Sequence, residues 1–342
     1  LLRPWCLISL AVALTFPVFG QGGLKSVDYY PLDEWRTSPA ARQGLDPVAI
    51  KGLYGEYGSK ATILIIRNGY LIEGNGSAKP AEGLRHIHSC TKSVISLLYG
   101  MVFPAGRAGD LLVKHFPEYR RSDNQGVKIS HLLSMSSGMQ WSDIPNIDSN
   151  RLLSEKNWIG YIMAKPILAE PGTAWNYNSG GSQLISVITE RELGYPLRDF
   201  AEERLFGPLG ILDYQWWESN DGYLAAGWGL HLSAFDLSKI GYLVLRKGLW
   251  KGERILPEAW IKEFLTRRAK ANADFSYGYQ WWIYEGLPWD AYRAYGAYGD
   301  HHVFLILVPG LDLEIVIEGQ VKDDVGILRK YLLPAAGPAQ GR

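Results

Sequence analysis

The chain has 342 residues, 47% of them hydrophobic and 20% charged, with 35 Lys and Arg against 35 Asp and Glu. Such proportions describe an ordinary globular protein and exclude a disordered or fibrous one. Balanced charge provides no overall field to recruit nucleic acid, an anionic membrane surface or a strongly acidic substrate, so the partner indicated is a small molecule.

At the N-terminus, Arg3 precedes an uncharged apolar stretch from Trp5 to Phe19 and then Gly20-Gln21. This is the pattern of a signal peptide over residues 1–20, shorter than the ~20 apolar residues a transmembrane helix needs. It predicts a periplasmic or secreted protein without stable membrane insertion after cleavage, with residues 21–342 forming one domain. Of the two cysteines, Cys6 lies in the presumed signal. Cys90 then has no partner for an intramolecular disulfide, and its apolar-rich helical setting fits a small buried core residue.

Residues 61–67 and 70–74 are apolar-rich strands flanking Asn68-Gly69, the dipeptide that best accommodates the positive φ angles of a two-residue hairpin turn. Between residues 91 and 265 the period becomes helical, in segments 91–102, 182–193, 196–205, 234–246 and 257–265. Strands return over 279–284, 292–297, 303–308 and 311–318, with Pro309-Gly310 turning the last pair. The pattern predicts an α+β fold in which both chain ends build one antiparallel sheet. The sheet lobe spans about 54–88 and 270–335, and a helical lobe of about 89–269 is inserted in it.

Ser89-Cys90-Thr91-Lys92 opens the first long helix, and a spacing of three residues puts hydroxyl and ammonium on one face, one turn apart. A lysine there accepts the serine proton if burial lowers its pKa from ~10.4 towards ~7–8. The motif alone is weak, since roughly one Ser-x-x-Lys is expected by chance in a chain like this. Tyr177-Asn178-Ser179-Gly180-Gly181 follows a Glu170-Pro171-Gly172 turn, placing Tyr177 on a loop able to reach a site and relay a proton. Taken by itself, Tyr177 fits an aromatic plug under a glycine-rich loop equally well. The third element, Ala294-Tyr295-Gly296-Ala297-Tyr298-Gly299, has the glycines of a strand that something approaches closely. It presents the Ala297 N–H opposite the Ser89 N–H as an oxyanion pair, or else is a twisted edge strand. Among the thirteen tryptophans, Trp175 is the one placed to reach substrate, together with Tyr298.

Other chemistries fit less well. His86-Ile87-His88 lacks the Asp and His that a zinc pattern would want at positions 90 and 91. Asp300-His301-His302 has no Gly-x-Ser-x-Gly elbow to complete a triad. Neither a metal nor a cofactor is expected.

In this order, Ser-x-x-Lys, Tyr-x-Ser and a glycine-bearing C-terminal strand, the chain resembles the class C β-lactamase, D-alanyl-D-alanine carboxypeptidase and carboxylesterase family. Residues 129–138 and 225–237 are similar to that family's segments too, and the likeness runs from about Tyr54 to Leu333. Trp175 to Gly180 and the strand beginning Ala294-Tyr295-Gly296 resemble the esterase and 6-aminohexanoate-dimer hydrolase branch most. The resemblance implies a β-lactamase/transpeptidase-like fold and a serine hydrolase acting through an acyl-enzyme. Ser89, Lys92 and Tyr177 would be catalytic, and Ser179, Trp175, Tyr295, Gly296 and Tyr298 would bind substrate. Two departures weaken penicillin as that substrate: Ala294-Tyr295-Gly296 lacks the cation usual there, and Ser179 replaces an amide. Carboxylic esters or linear amides are therefore expected. The alternatives are a β-lactamase, a carboxypeptidase or a non-catalytic penicillin-recognising protein, and the intact Ser89, Lys92 and Tyr177 argue for an enzyme.

Overall fold

The computed structural model describes residues 29–336 apart from 75–82, 105, 144, 288–291 and 322. The expected signal peptide lies outside the described residues. Its central feature is a nine-stranded sheet. In chain order the strands are β1 (Thr37–Ser38), β2 (Ala61–Arg67), β3 (Tyr70–Ile72), β4 (Ala269–Lys270), β5 (Phe275–Tyr277), β6 (Trp282–Tyr284), β7 (Tyr295–Gly299), β8 (Val303–Val308) and β9 (Leu313–Gly319). Across the sheet they run β1-β3-β2-β9-β8-β7-β6-β5-β4. All pairings are antiparallel except β1 with β3.

The two chain ends meet where β2 pairs with β9 along its whole length, from Arg67 opposite Leu313 to Ala61 opposite Gly319. The β2–β3 turn takes the conformation its sequence favours, with Asn68 at φ 53° and Gly69 at φ 80°. Unbroken apolar runs in β2 and β8 reflect burial on both faces. Ile63 and Ile65 of β2, with Ile315 and Ile317 of β9, face a core closed by helix α1 (Pro47–Tyr57) and the C-terminal Leu328 and Leu332. Leu64, Ile66, Leu305 and Val316 face the other core, which contains helices α2 (Cys90–Val102), α3 (Ser179–Leu193) and α4 (Ala234–Leu245). The sheet is thus the middle of three layers. Two glutamates on β9 share the α4 side: Glu314 and Glu318 are both buried, alternating with Val316.

Several boundaries differ from the sequence reading. The expected strand over 279–284 begins only at Trp282, because Gln280 has φ 64° and turns the chain between β5 and β6. The expected strand from Tyr292 begins at Tyr295 and extends to Gly299. Helix α3 starts at Ser179, three residues early, since Asn178 caps it by accepting the Gly181 N–H at 2.8 Å. A small three-stranded sheet of Arg85–His86, Leu230–Leu232 and Gln215–Trp216 lies at the base of α2.

Candidate active site

His88, two residues before α2, has φ 49°, and the chain turns there into the helix. The amides of Cys90, Thr91 and Lys92 are bonded to the carbonyls of Ile87, His88 and Ser89. The Ser89 side chain stands at the head of this turn. One turn on, Lys92 is only 1% exposed, and its Nζ lies 2.9 Å from Ser89 Oγ and 2.5 Å from the Gly227 carbonyl oxygen. The Tyr177 ring covers the same nitrogen, 4.8 Å from its centroid. Burial pushes the Lys92 pKa down to about 8, against a smaller opposing pull from Asp143.

Tyr177 is held in an aromatic group: its ring stacks on Trp282 at 5.9 Å and meets Trp175 at 6.2 Å and Tyr277 at 6.4 Å. Burial raises its phenol pKa, with a hydrogen bond to the Ser89 side chain as the largest opposing effect. The phenol is therefore neutral at pH 7. It can pass a proton along but supplies no tyrosinate, which leaves Lys92 as the group able to take the Ser89 proton.

Gly227 belongs to a tight turn between Ala225 and Leu230. A Cβ on it would sit 2.8 Å from the Ser179 Cβ, so only glycine lets the turn carry its carbonyl to Lys92 while α3 begins beside it. Gln183 accepts the Ala226 N–H at 2.9 Å and Thr91 Oγ1 accepts the Leu230 N–H at 3.3 Å, so the turn is tied to α3 and to α2.

Strand β7 forms the opposite wall. Its outer edge pairs with β6 only at Tyr295 and Gly296. Beyond that it passes the turn before Ser89 so closely that a Cβ on Gly299 would lie 2.4 Å from the Ile87 carbonyl oxygen. Ala297 faces the core containing α2, opposite Leu305.

The expected site residues therefore separate into groups. Ser89, Lys92 and Tyr177 come together, with Trp175 beside Tyr177 and Ser179 beside Gly227. Tyr295 and Gly296 lie on β7 just before Ala297, both buried. Tyr298 departs from expectation, because strand alternation turns it to the α1 side, opposite Phe304. Its hydroxyl donates to Asp324, as does that of Tyr284, and Trp282 stands between its ring and Tyr177. Cys90 is fully buried with its thiol pKa pushed up, which leaves it no nucleophilic role.

The sequence reading missed Asp143, whose buried carboxylate accepts the Ser179 N–H at 2.7 Å and the Ser149 hydroxyl, fixing the start of α3 against the 141–143 loop. It also missed Gln280, whose amide bonds Leu132, Leu133 and Ser182. Neither sits in a motif. Both act through contacts between segments far apart in sequence.

A family model described as Beta-lactamase matches residues 61–322. No curated protein matches the chain by sequence. Among solved structures it is similar to a Bacillus anthracis protein designated a 6-aminohexanoate-dimer hydrolase, with a TM-score of 0.70 and 17% identity over 91% of this chain and 88% of that one. It is also similar to EstCE1, a hydrolase with promiscuous acyltransferase activity, with a TM-score of 0.66 and 15% identity over 87% of this chain and 98% of that one. A β-lactamase/D-alanine carboxypeptidase from Pseudomonas syringae gives a TM-score of 0.62 and 15% identity over 87% of this chain and 99% of that one. At such identities the likeness establishes the fold.

Proposed function

Because the chain belongs to the Beta-lactamase family, we propose that it is a serine hydrolase that cleaves carboxylic esters or linear amides through an acyl-enzyme on Ser89. The observation that carries this reading is the buried Lys92 amine 2.9 Å from Ser89 Oγ, with its pKa lowered towards neutrality. Neutral Lys92 takes the Oγ proton as Oγ adds to the substrate carbonyl, and its own N–H bond to the Gly227 carbonyl keeps the lone pair aimed at Ser89. The tetrahedral oxyanion rests between the backbone N–H groups of Ser89 and Ala297. Collapse expels the alcohol or amine, which receives its proton through Lys92 and the Tyr177 hydroxyl. A water molecule then attacks the acyl-serine by the reverse proton path, releasing the carboxylic acid and restoring Ser89.

The electrostatics support esters and neutral amides over β-lactams. The charged side chains acting on Lys92 and Tyr177 include two carboxylates, Asp143 and Asp300, and the segment entering β7 has Ala294 and Tyr295 in place of the cation that a substrate carboxylate would need. A charge-assisted hydrogen bond is worth ~1.5–3 kcal/mol, so its absence costs about ten- to a hundredfold in kcat/KM for substrates bearing that group.

Intact-protein mass spectrometry tests the covalent step. Wild-type protein mixed with a slow aryl ester or a fluorophosphonate should gain one acyl or phosphonyl mass, and Ser89→Ala should gain none. Equal labelling of the variant refutes the assignment. Specificity is read by comparing p-nitrophenyl butyrate with nitrocefin on one preparation, Ser89→Ala serving as blank. A tenfold advantage for nitrocefin would make the protein a β-lactamase instead.

A further inference from the structure

Four imidazoles lie in a row that passes beside the nucleophile, His231–His86–His88–His301. His86 stacks on His231 at 4.6 Å and 14°, meets His88 at 3.9 Å and is flanked by Trp217 at 4.8 Å, while His88 in turn meets His301 at 4.8 Å. His86 and His231 are a cross-strand pair of the small sheet, and His88 immediately precedes Ser89. Within this row, one nitrogen has a defined task. His86 Nε2 accepts the Gly229 N–H at 3.2 Å. Gly229 is two residues from Gly227, whose carbonyl holds Lys92. The carbonyl of Gly229 is bonded by the Trp217 N–H at 3.0 Å and contacts His231 Nδ1 at 3.1 Å.

We infer that His86 is a positioning residue for the proposed hydrolysis: as a neutral acceptor it fixes the 225–230 turn so that the Gly227 carbonyl orients the Lys92 amine. The inference rests on the serine-hydrolase reading and extends it to a residue that does not touch Ser89. Accepting through Nε2 requires the Nδ1–H tautomer of the neutral ring. The stack is arranged to keep that form, because burial and the neighbouring His88, His231 and His301 oppose a second proton and hold the His86 pKa near 4. Gly229 has φ 110°, and a Cβ there would sit 3.0 Å from the Ala225 Cβ and 3.2 Å from the Trp217 Cβ. With so little room around it, the turn depends on the hydrogen bonds at its ends.

Two variants separate the acceptor from the ring. His86→Phe keeps a stacking ring without an acceptor, and His86→Gln keeps an acceptor without the ring. With p-nitrophenyl butyrate, His86→Phe should lower kcat about tenfold with KM within about twofold, the loss expected when a base is misaimed rather than removed. It should also move the midpoint of the acid limb of kcat/KM downwards, because a displaced Gly227 carbonyl no longer stabilises the Lys92 ammonium. His86→Gln should restore most of the rate and the midpoint. A folded His86→Phe with wild-type kcat and midpoint overturns the inference, as does a His86→Gln as impaired as the phenylalanine variant. If the variants do not fold, 15N-histidine spectra of the wild-type protein at pH 7 decide. An Nδ1–H His86 with a hydrogen-bonded Nε2 supports the assignment, and an Nε2–H tautomer or an imidazolium rejects it. The hydrolase reading fails separately, on a Ser89→Ala variant that keeps the hydrolytic rate.

Discussion

Enclosure of Lys92 between Ser89, Gly227 and the Tyr177 ring removes the water that would solvate an ammonium, and its pKa falls from 10.5 to about 8. In the proposed mechanism Lys92 must be deprotonated to act, so kcat/KM for a neutral ester should rise about tenfold per pH unit below pH 8 and level off above it. A profile flat from pH 5 to 9 would exclude Lys92 as the base. The same displacement bears on stability. Between pH 8 and 10.5 the unfolded chain holds on this lysine a proton that the folded chain has released, so the Lys92 contribution to stability rises with pH across that window. Below pH 8 the buried ammonium costs roughly 3 kcal/mol. Lys92→Met, similar in volume and uncharged, should therefore raise Tm by several degrees at pH 6 while cutting kcat by about 10³-fold or more. Calorimetry and an ester assay on one sample check both halves, and a fall in Tm would contradict the first.

Helix α3 and the 225–230 turn show how neighbouring elements set the site, and where sequence reasoning stops. The placement of Tyr177 over Lys92 and of Ser179 beside Gly227 was readable because both residues sit in a short motif of fixed spacing. Asp143 was not, since one carboxylate in a loop carries no periodicity, and only the fold brings it to the Ser179 N–H. The β2–β3 hairpin was legible from Asn68-Gly69, and β8 from its six apolar residues. Helix α1 was missed although Asp46 caps it by accepting the Val48 N–H at 2.9 Å, because its glycines and scattered polar residues blur the helical pattern. Tyr298 was misassigned for a related reason: adjacency to Ala297 in sequence means opposite faces in a strand. The close contact at Gly227 yields a test at this scale. Gly227→Ala should push the turn off Ser179 and lower kcat about 10- to 100-fold with the overall fold retained, measured by ester kinetics and far-UV circular dichroism. Unchanged kinetics would mean that the Gly227 carbonyl does not orient the base.

Over the whole molecule the notable charges are the two glutamates buried beneath the helical layer. Burial raises Glu318 to about 7, against a weak pull from Arg85 3.7 Å away, and it also raises Glu314 well above the ordinary carboxylate value, with neither of its oxygens hydrogen-bonded. A carboxyl raised on folding keeps its proton while the unfolded chain loses one. Its contribution is whole below pH 4.5 and is lost as pH climbs through the folded value. For Glu318 the loss amounts to roughly 3 kcal/mol between pH 4.5 and 7. His86, buried and neutral, gains stability over part of the same pH window, so the test is the difference between wild type and Glu318→Gln: in urea denaturation the wild type should lose about 2 kcal/mol more than the variant from pH 5 to pH 7. The same pH dependence in wild type and variant would refute the assignment. The pairing of β2 with β9 has a consequence in time as well as in space. A ribosome adding about 5–20 residues per second takes on the order of 10–50 s to travel from residue 67 to residue 313. Throughout that interval β2 has been made while its central partner has not, and its Ile63–Ile66 run meets the cell as an unpaired apolar edge. The newborn chain is thus most exposed to aggregation before β9 emerges, and a chaperone that shields extended apolar segments during synthesis should raise the yield of folded protein more than one added after release.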